Sequence, residues 1–221
     1  MKPFRWILIA IFLFWAALGN FILRAWRSSE ALEQTRQNLL LIASNAALLI
    51  DVSALLQVPL EPEGDRSAAY QVVSSQLEAI KQTNPSLKYA YIMRTTVQPG
   101  ILQYAVDADP APQIITAQSP RSLPGDKYDA RTFPEMLKAY TEPAADKTIK
   151  ADAWGIFISG YAPIHDSSGQ AVAILGVDME AGNLLKLQNK VSFSGLLAGG
   201  AFFIFLISLF GVLIRRSPAT V

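Results

Sequence analysis

The sequence predicts an α+β domain, an antiparallel sheet with a long N-terminal helix, flanked by two transmembrane helices. Three observations predict it. Two apolar runs, Trp6–Leu23 and Phe193–Ile214, bracket a polar segment of domain size. Within that segment apolar residues recur at helical spacing up to residue 83 and alternate at strand spacing from residue 87 onward. The strands come in pairs joined by short turn-forming loops, which makes the sheet antiparallel and segregates helices from strands along the chain.

The first apolar run has no charge between Arg5 and Arg24, and the second has none between Lys190 and Arg215. Each is long enough to cross about 30 Å of hydrocarbon at 1.5 Å per residue. Trp6, Trp15 and Trp26 stand where headgroup anchors are common, and Gly195 and Gly199 form a small-xxx-small pair that lets helices approach. A cleaved signal peptide is the alternative for the first run, with Lys2 and Arg5 as its basic end and Ala17-Leu18-Gly19 as its small-residue site. The short ends carry Lys2, Arg5, Arg215 and Arg216 and no acid. All 18 Asp and Glu lie between the runs with the other 15 of the 19 Lys and Arg, a balance of −3. Basic ends point to the cytoplasm, so the domain is expected outside it. The expected divisions are 1–27, a cytoplasmic stub and first span; 28–191, the extracytoplasmic domain; and 192–221, the second span and a short cytoplasmic tail.

Along the domain, Ser28–Leu56 reads as one long helix with Leu32, Leu39, Ile42, Ala43, Ala46, Leu49 and Ile50 on a stripe. That stripe either dimerises or covers the sheet. Pro59 and Glu61-Pro62-Glu63-Gly64-Asp65 end it. Ser67–Thr83 is a second helix, stopped by Asn84-Pro85. Leu87–Thr95 and Ile101–Val106 form a hairpin about Gln98-Pro99-Gly100. Asp107–Asp129 is irregular, Phe133–Tyr140 a short helix. Trp154–Ile164 and Ala171–Met179 are strands joined by His165-Asp166-Ser167-Ser168-Gly169. Glu180–Val191 runs helically toward the second apolar run.

Composition excludes several chemistries. With no cysteine there is no disulfide framework, no thiol catalysis and no cysteine metal site. The one histidine, His165, sits in a turn, so a zinc site is not expected. No phosphate loop, nucleophile elbow, dinucleotide fingerprint or basic aromatic patch occurs. Neither a cofactor nor an enzymatic activity is expected.

The run Trp154-Gly155-Ile156-Phe157-Ile158-Ser159-Gly160-Tyr161-Ala162-Pro163-Ile164, its loop, and Leu175-Gly176-Val177-Asp178 are the most specific stretch. They resemble the C-terminal hairpin of Cache domains, the PAS-like extracytoplasmic sensors of bacterial transmembrane receptors. Tyr89–Arg94, Val106-Asp107-Ala108-Asp109-Pro110 and Pro124-Gly125-Asp126-Lys127-Tyr128-Asp129 resemble the same family. The resemblance implies a small-molecule pocket between the sheet and the loops crossing it. It implies a long helix that often dimerises, and a cytoplasmic output module, which is expected to lie outside this chain.

Alternation puts Phe157, Ser159 and Tyr161 on one face of their strand, and Trp154, Ile156, Ile158 and Gly160 on the other. Ser159, Tyr161 and Asp178 are candidate polar groups of a pocket. Asp178 would pair with a ligand ammonium or hydroxyl; otherwise it is an end-of-strand acid bonded to neighbouring backbone. Arg94 suits a ligand carboxylate, or an internal salt bridge. Tyr91 and Tyr104 either close the pocket or fill the core. Asp107 and Asp109, with Asp126 and Asp129, either bind a hard cation or form a solvated turn, and Asp107 is also a candidate for a ligand amine. Tyr128 is a lid by resemblance, and Trp154 heads the resembling run and completes the ligand-binding set.

The expected function is small-molecule sensing outside the cell, with an amino acid, an amine or a carboxylate as ligand and a homodimer joined along Ser28–Leu56. The expected location is the bacterial cytoplasmic membrane, crossed twice. A membrane-tethered protein-interaction or assembly domain without a small ligand is the alternative. A hydrolase using Ser159 or an aspartate is the third reading.

Overall fold

The computed structural model describes residues 2–108, 122–152, 155–182, 184–186, 191, 193, 195–200 and 202–206, with the side chains of residues 2–7 and 10 left aside. The chain divides into two compact units, 33–182, and 1–32 with 183–221.

The larger unit holds an antiparallel sheet. Its elements are the end of α1 (Lys2–Ala47), α2 (Val52–Gln57), a 3-10 turn (Pro62–Arg66), α3 (Ala68–Thr83), β1 (Leu87–Thr95), β2 (Ile101–Asp107), β3 (Lys127–Asp129), α4 (Pro134–Lys138), β4 (Ala144–Ala145), β5 (Lys150–Asp152), β6 (Gly155–His165) and β7 (Ala171–Glu180). The strand order is β3-β2-β1-β7-β6-β4, with β5 also pairing β6. The first hairpin thus docks on the last, and β1 and β7 lie at the centre.

Local chemistry sets the boundaries. The predicted helix Ser28–Leu56 is interrupted: α1 stops at Ala47, and Asp51 caps a separate α2 by accepting from the Ala54 amide at 3.0 Å. A cap here outweighs the continuing apolar stripe, since it satisfies an amide that would otherwise lack a partner. Ser67 caps α3 by accepting from the Tyr70 amide at 3.1 Å. In the β6–β7 loop, Asp166 Oδ1 accepts from the Ser168 and Gln170 amides, and Gly169 takes φ +84°. Pro163 lies in β6 where only β7 is paired, so its missing N–H costs no ladder bond.

Each face of the sheet has its own cover. Ala90, Ile92, Ile158, Gly160, Leu175 and Val177 are on the helix side by alternation. There α3 buries Tyr70, Val73, Leu77 and Ile80 and packs on β1 and β2. Leu39 of α1 comes so close to β6 that a Cβ on Gly160 would lie 2.7 Å from its carbonyl oxygen. The apolar stripe of α1 therefore covers the sheet at Leu39 and Ala43, both fully buried. On the opposite face an aromatic cluster gathers Tyr91, Met93, Leu102, Tyr104, Tyr128, Met136, Tyr161 and Ile174.

In the smaller unit, Phe14 packs on Phe202 (5.0 Å between ring centroids) and Phe205 (6.3 Å), and the Phe21 ring lies against Gly195. The two apolar segments therefore pair antiparallel. Gly195 meets a neighbour, whereas nothing described lies within 4 Å of a Cβ on Gly199. Among the described residues, no helix is long and apolar enough to cross a membrane.

Candidate ligand-binding site

The face away from the helices is built in rows set by register. One row runs Asp146, Ser159, Asp178, Tyr89: the Asp146 amide donates to the Ser159 carbonyl at 2.9 Å, Ser159 pairs with Asp178, and Asp178 with Tyr89. The next row runs Ala144, Tyr161, Gly176, Tyr91, Asp107. Gly176 leaves the space that the Tyr91 ring fills, since a Cβ there would stand 2.4 Å from it.

Asp178 is buried on a strand whose other buried residues are apolar. The Tyr91 hydroxyl donates to its Oδ1 at 3.2 Å, and Ser159 stands opposite it in register. Burial pushes its carboxyl up to about 7; the Ser159 and Tyr91 bonds oppose that rise, and the charges of Asp146 and Asp152 add to it. Among the described residues Asp178 makes no ion pair.

Asp146, fully buried just beyond β4, is the acid that sequence reasoning missed. The Tyr161 hydroxyl stands 3.4 Å from each of its carboxylate oxygens. Burial first, then the Glu135 charge, lifts it to about 7, against the Ser159 main chain, the Lys150 charge and Tyr161. Arg36 of α1 donates its Nε to the Asp146 carbonyl at 2.9 Å and pairs with Glu33. The row is thereby tied to α1.

Aromatic rings wall the site. Tyr104 meets Tyr91 edge-on at 5.8 Å and Tyr128 at 6.2 Å, and Tyr128 lies 5.5 Å from Phe133. Burial raises the phenols of Tyr91, Tyr104, Tyr128 and Tyr161, so all stay neutral donors. Tyr104 hydrogen-bonds Ser122, Tyr128 donates to Asp152 at 3.4 Å, and Tyr140 donates to the Met93 carbonyl at 3.2 Å.

Of the sequence candidates, Tyr91, Tyr104, Tyr128, Ser159, Tyr161 and Asp178 share this face. Asp107 is in register with Tyr91 at the sheet's side, where the Tyr70 hydroxyl holds its main chain and its charge reaches Tyr104. Arg94 follows Met93 and so falls on the other face of β1 by alternation, though its charge reaches Tyr140, which packs on the tyrosine cluster. Trp154 and Asp109 lie outside the described residues. Asp126 accepts from the Leu123 amide at 2.8 Å, and Asp129 pairs with Arg131, so both serve loop structure. Among the described residues no group of three acids or histidines converges as for a metal ion.

No family model matches the chain, and no curated protein matches it. Solved structures similar to it are sensory or ligand-binding domains, the Cache type that the sequence resembles. The ligand-binding domain of the Campylobacter jejuni chemoreceptor Tlp3, in complex with L-valine, is 16% identical with a TM-score of 0.49; the match covers 80% of this chain and 65% of that one. The E. coli DcuS sensor domain is 16% identical with a TM-score of 0.45, over 74% of this chain and 98% of that one. The V. cholerae histidine kinase DctB sensor domain is 13% identical with a TM-score of 0.46, over 78% and 56%. The chain thus spans about two thirds of the Tlp3 domain. At these scores the likenesses carry no weight for what this chain binds.

Proposed function

We propose that the chain is the extracytoplasmic small-molecule sensing domain of a transmembrane signalling receptor, and that its site takes the amino group of a ligand at Asp178. The observation that carries this reading is the buried Asp178 carboxyl, held by the Tyr91 hydroxyl, with Ser159 opposite it and no cation in an ion pair with it among the described residues, on the sheet face walled by tyrosines. A buried acid of this kind is costly to ionise alone. An ammonium entering beside it supplies the missing charge, and the neutral tyrosine rings favour a cation at their faces. Serine and tyrosine hydroxyls then orient the acid without competing for the charge.

In this reading Trp6–Leu23 and Phe193–Ile214 cross the membrane, the basic ends stay in the cytoplasm, and residues 28–191 face outward. The chain works as a homodimer with a cytoplasmic output module. Arg36 on α1 is bonded to the row that contains Asp178, so a ligand favouring one placement of β6 and β7 favours one placement of α1.

Thermal unfolding of the full chain in detergent, against panels of amines, amino acids and carboxylates, tests the reading. A ligand at a hundred times its Kd stabilises by about 2.7 kcal/mol, which is roughly 5–10 °C for a domain of this size. A shift of that order is expected with amino compounds in the wild type and is absent in Asp178→Asn. Shifts that survive Asp178→Asn unchanged would remove the assignment.

A further inference from the structure

We infer that Asp146 is a proton-operated latch on α1. With its carboxyl protonated, the residue stays inside the domain and its carbonyl holds Arg36; when the proton leaves to solvent, the carboxylate turns outward and Arg36 is released. This goes beyond the ligand reading, because Asp146 takes no part in the assignment at Asp178 and the effector is the proton itself.

Asp146 ties two layers through its main chain. Its amide donates to the Ser159 carbonyl of β6 at 2.9 Å, and its carbonyl accepts from Arg36 Nε of α1 at 2.9 Å. The residue is fully buried, yet it follows the shortest of the described strands, since β4 pairs with β6 at Ala144 and Ala145 alone. Just after it the chain reaches solvent, with Lys147 and Thr148 exposed. A residue so placed has a short way out and little ladder to hold it in.

The groups around it do not house a carboxylate. α4 brings Glu135, buried and of the same sign, and Lys147 is already paired with Glu135 at 3.5 Å. β5 brings Lys150, whose Nζ donates to the Thr132 carbonyl at 3.4 Å and lies over the Phe133 ring. From β6 comes the Tyr161 hydroxyl, 3.4 Å from each carboxylate oxygen, which is long for a bond to an ionised acid. Asp178 of β7 is a further acid in the same row. Arg36 bonds the main chain of Asp146, and its guanidinium pairs with Glu33. Among the described residues Asp146 therefore has no ion pair. A neutral carboxyl suits this setting, and an ionised one gains by leaving it. Burial and the Glu135 charge raise the carboxyl to about 7, so the change falls near neutral pH.

The chain has no cysteine, so spin labels can be introduced at Asn38 of α1 and at Thr148, both exposed. Pulsed electron-spin distance measurement on the full chain in detergent, with labelled copies diluted in unlabelled ones, reads the spacing between α1 and the end of β4. From pH 5 to pH 8.5 the distance distribution should broaden or shift by about 2 Å, the scale of a helix displacement. Its midpoint should lie at about pH 7. Asp146→Asn, which mimics the neutral acid, should keep the pH 5 distribution throughout. Arg36→Ala should show the pH 8.5 distribution at both ends. Asp178→Asn should keep the transition, which separates the latch from the ligand site. A distribution unchanged between pH 5 and pH 8.5 overturns the inference before any variant is made, and so does a transition that persists in Asp146→Asn. Either failure leaves the ligand assignment at Asp178 standing.

Discussion

Asp178 and Asp146 give the residue scale its pH signature. Each carboxyl is raised by burial from the ordinary aspartate value to about 7 in the folded chain. The folded state therefore holds protons that the unfolded state has released between about pH 4 and 7, and stability falls as pH rises through that window. The ligand-free wild type should lose more melting temperature from pH 4.5 to pH 7.5 than the Asp146→Asn, Asp178→Asn double variant does. Parallel melting curves for the two proteins across that range would show that the acids are not held protonated by the fold. The alternation of β6 made Ser159 and Tyr161 readable as one face from the sequence, because period two assigns faces within a strand; that Asp178 shares that face follows from the β6–β7 register. The same rule, counted from Tyr91, separates Arg94 from that face. Asp146 was unreadable: β4 is two alanines long, and a strand of that length has no period to detect.

At the scale of elements, the approach of α1 to β6 depends on Gly160. A methyl group there would meet the Leu39 carbonyl oxygen, which belongs to helix backbone and has little room to give. Gly160→Ala should destabilise the folded chain by about 1–3 kcal/mol, the usual cost of overpacking, read as a lower denaturant midpoint at unchanged slope. An unchanged midpoint would mean that α1 does not bear on the sheet there. Most elements were legible because their periods are long and clean: α3, β1, β2, β6 and β7 fall within a residue or two of the sequence reading. The break between α1 and α2 was not, since the apolar stripe continues across it and only the bond from the Ala54 amide to Asp51 marks the new start. The short strands β3, β4 and β5 were hidden for another reason. They exist because longer strands offer them edges, a tertiary effect that local sequence does not carry.

At the scale of the whole molecule, a sensing domain needs a site whose occupancy biases the elements leading out of it. β6 and β7 join the two ends of that requirement: their inner residues carry Ser159, Tyr161 and Asp178, and their outer residues carry Gly160 against α1. The Arg36 bond to the Asp146 carbonyl adds a polar link between the same two layers. A homodimer along α1 would convert such a bias into a change between two copies. The four methionines report on this directly, because Met93 and Met136 belong to the tyrosine cluster while Met179 pairs with Ile158 on the helix side. The decisive measurement is a methyl spectrum of the full chain with labelled methionine, titrated with an amino compound that raises its melting temperature. The sensing account predicts saturable shifts of the Met93 and Met136 signals, larger than that of Met179; a saturating compound that leaves Met93 and Met136 in place would contradict it.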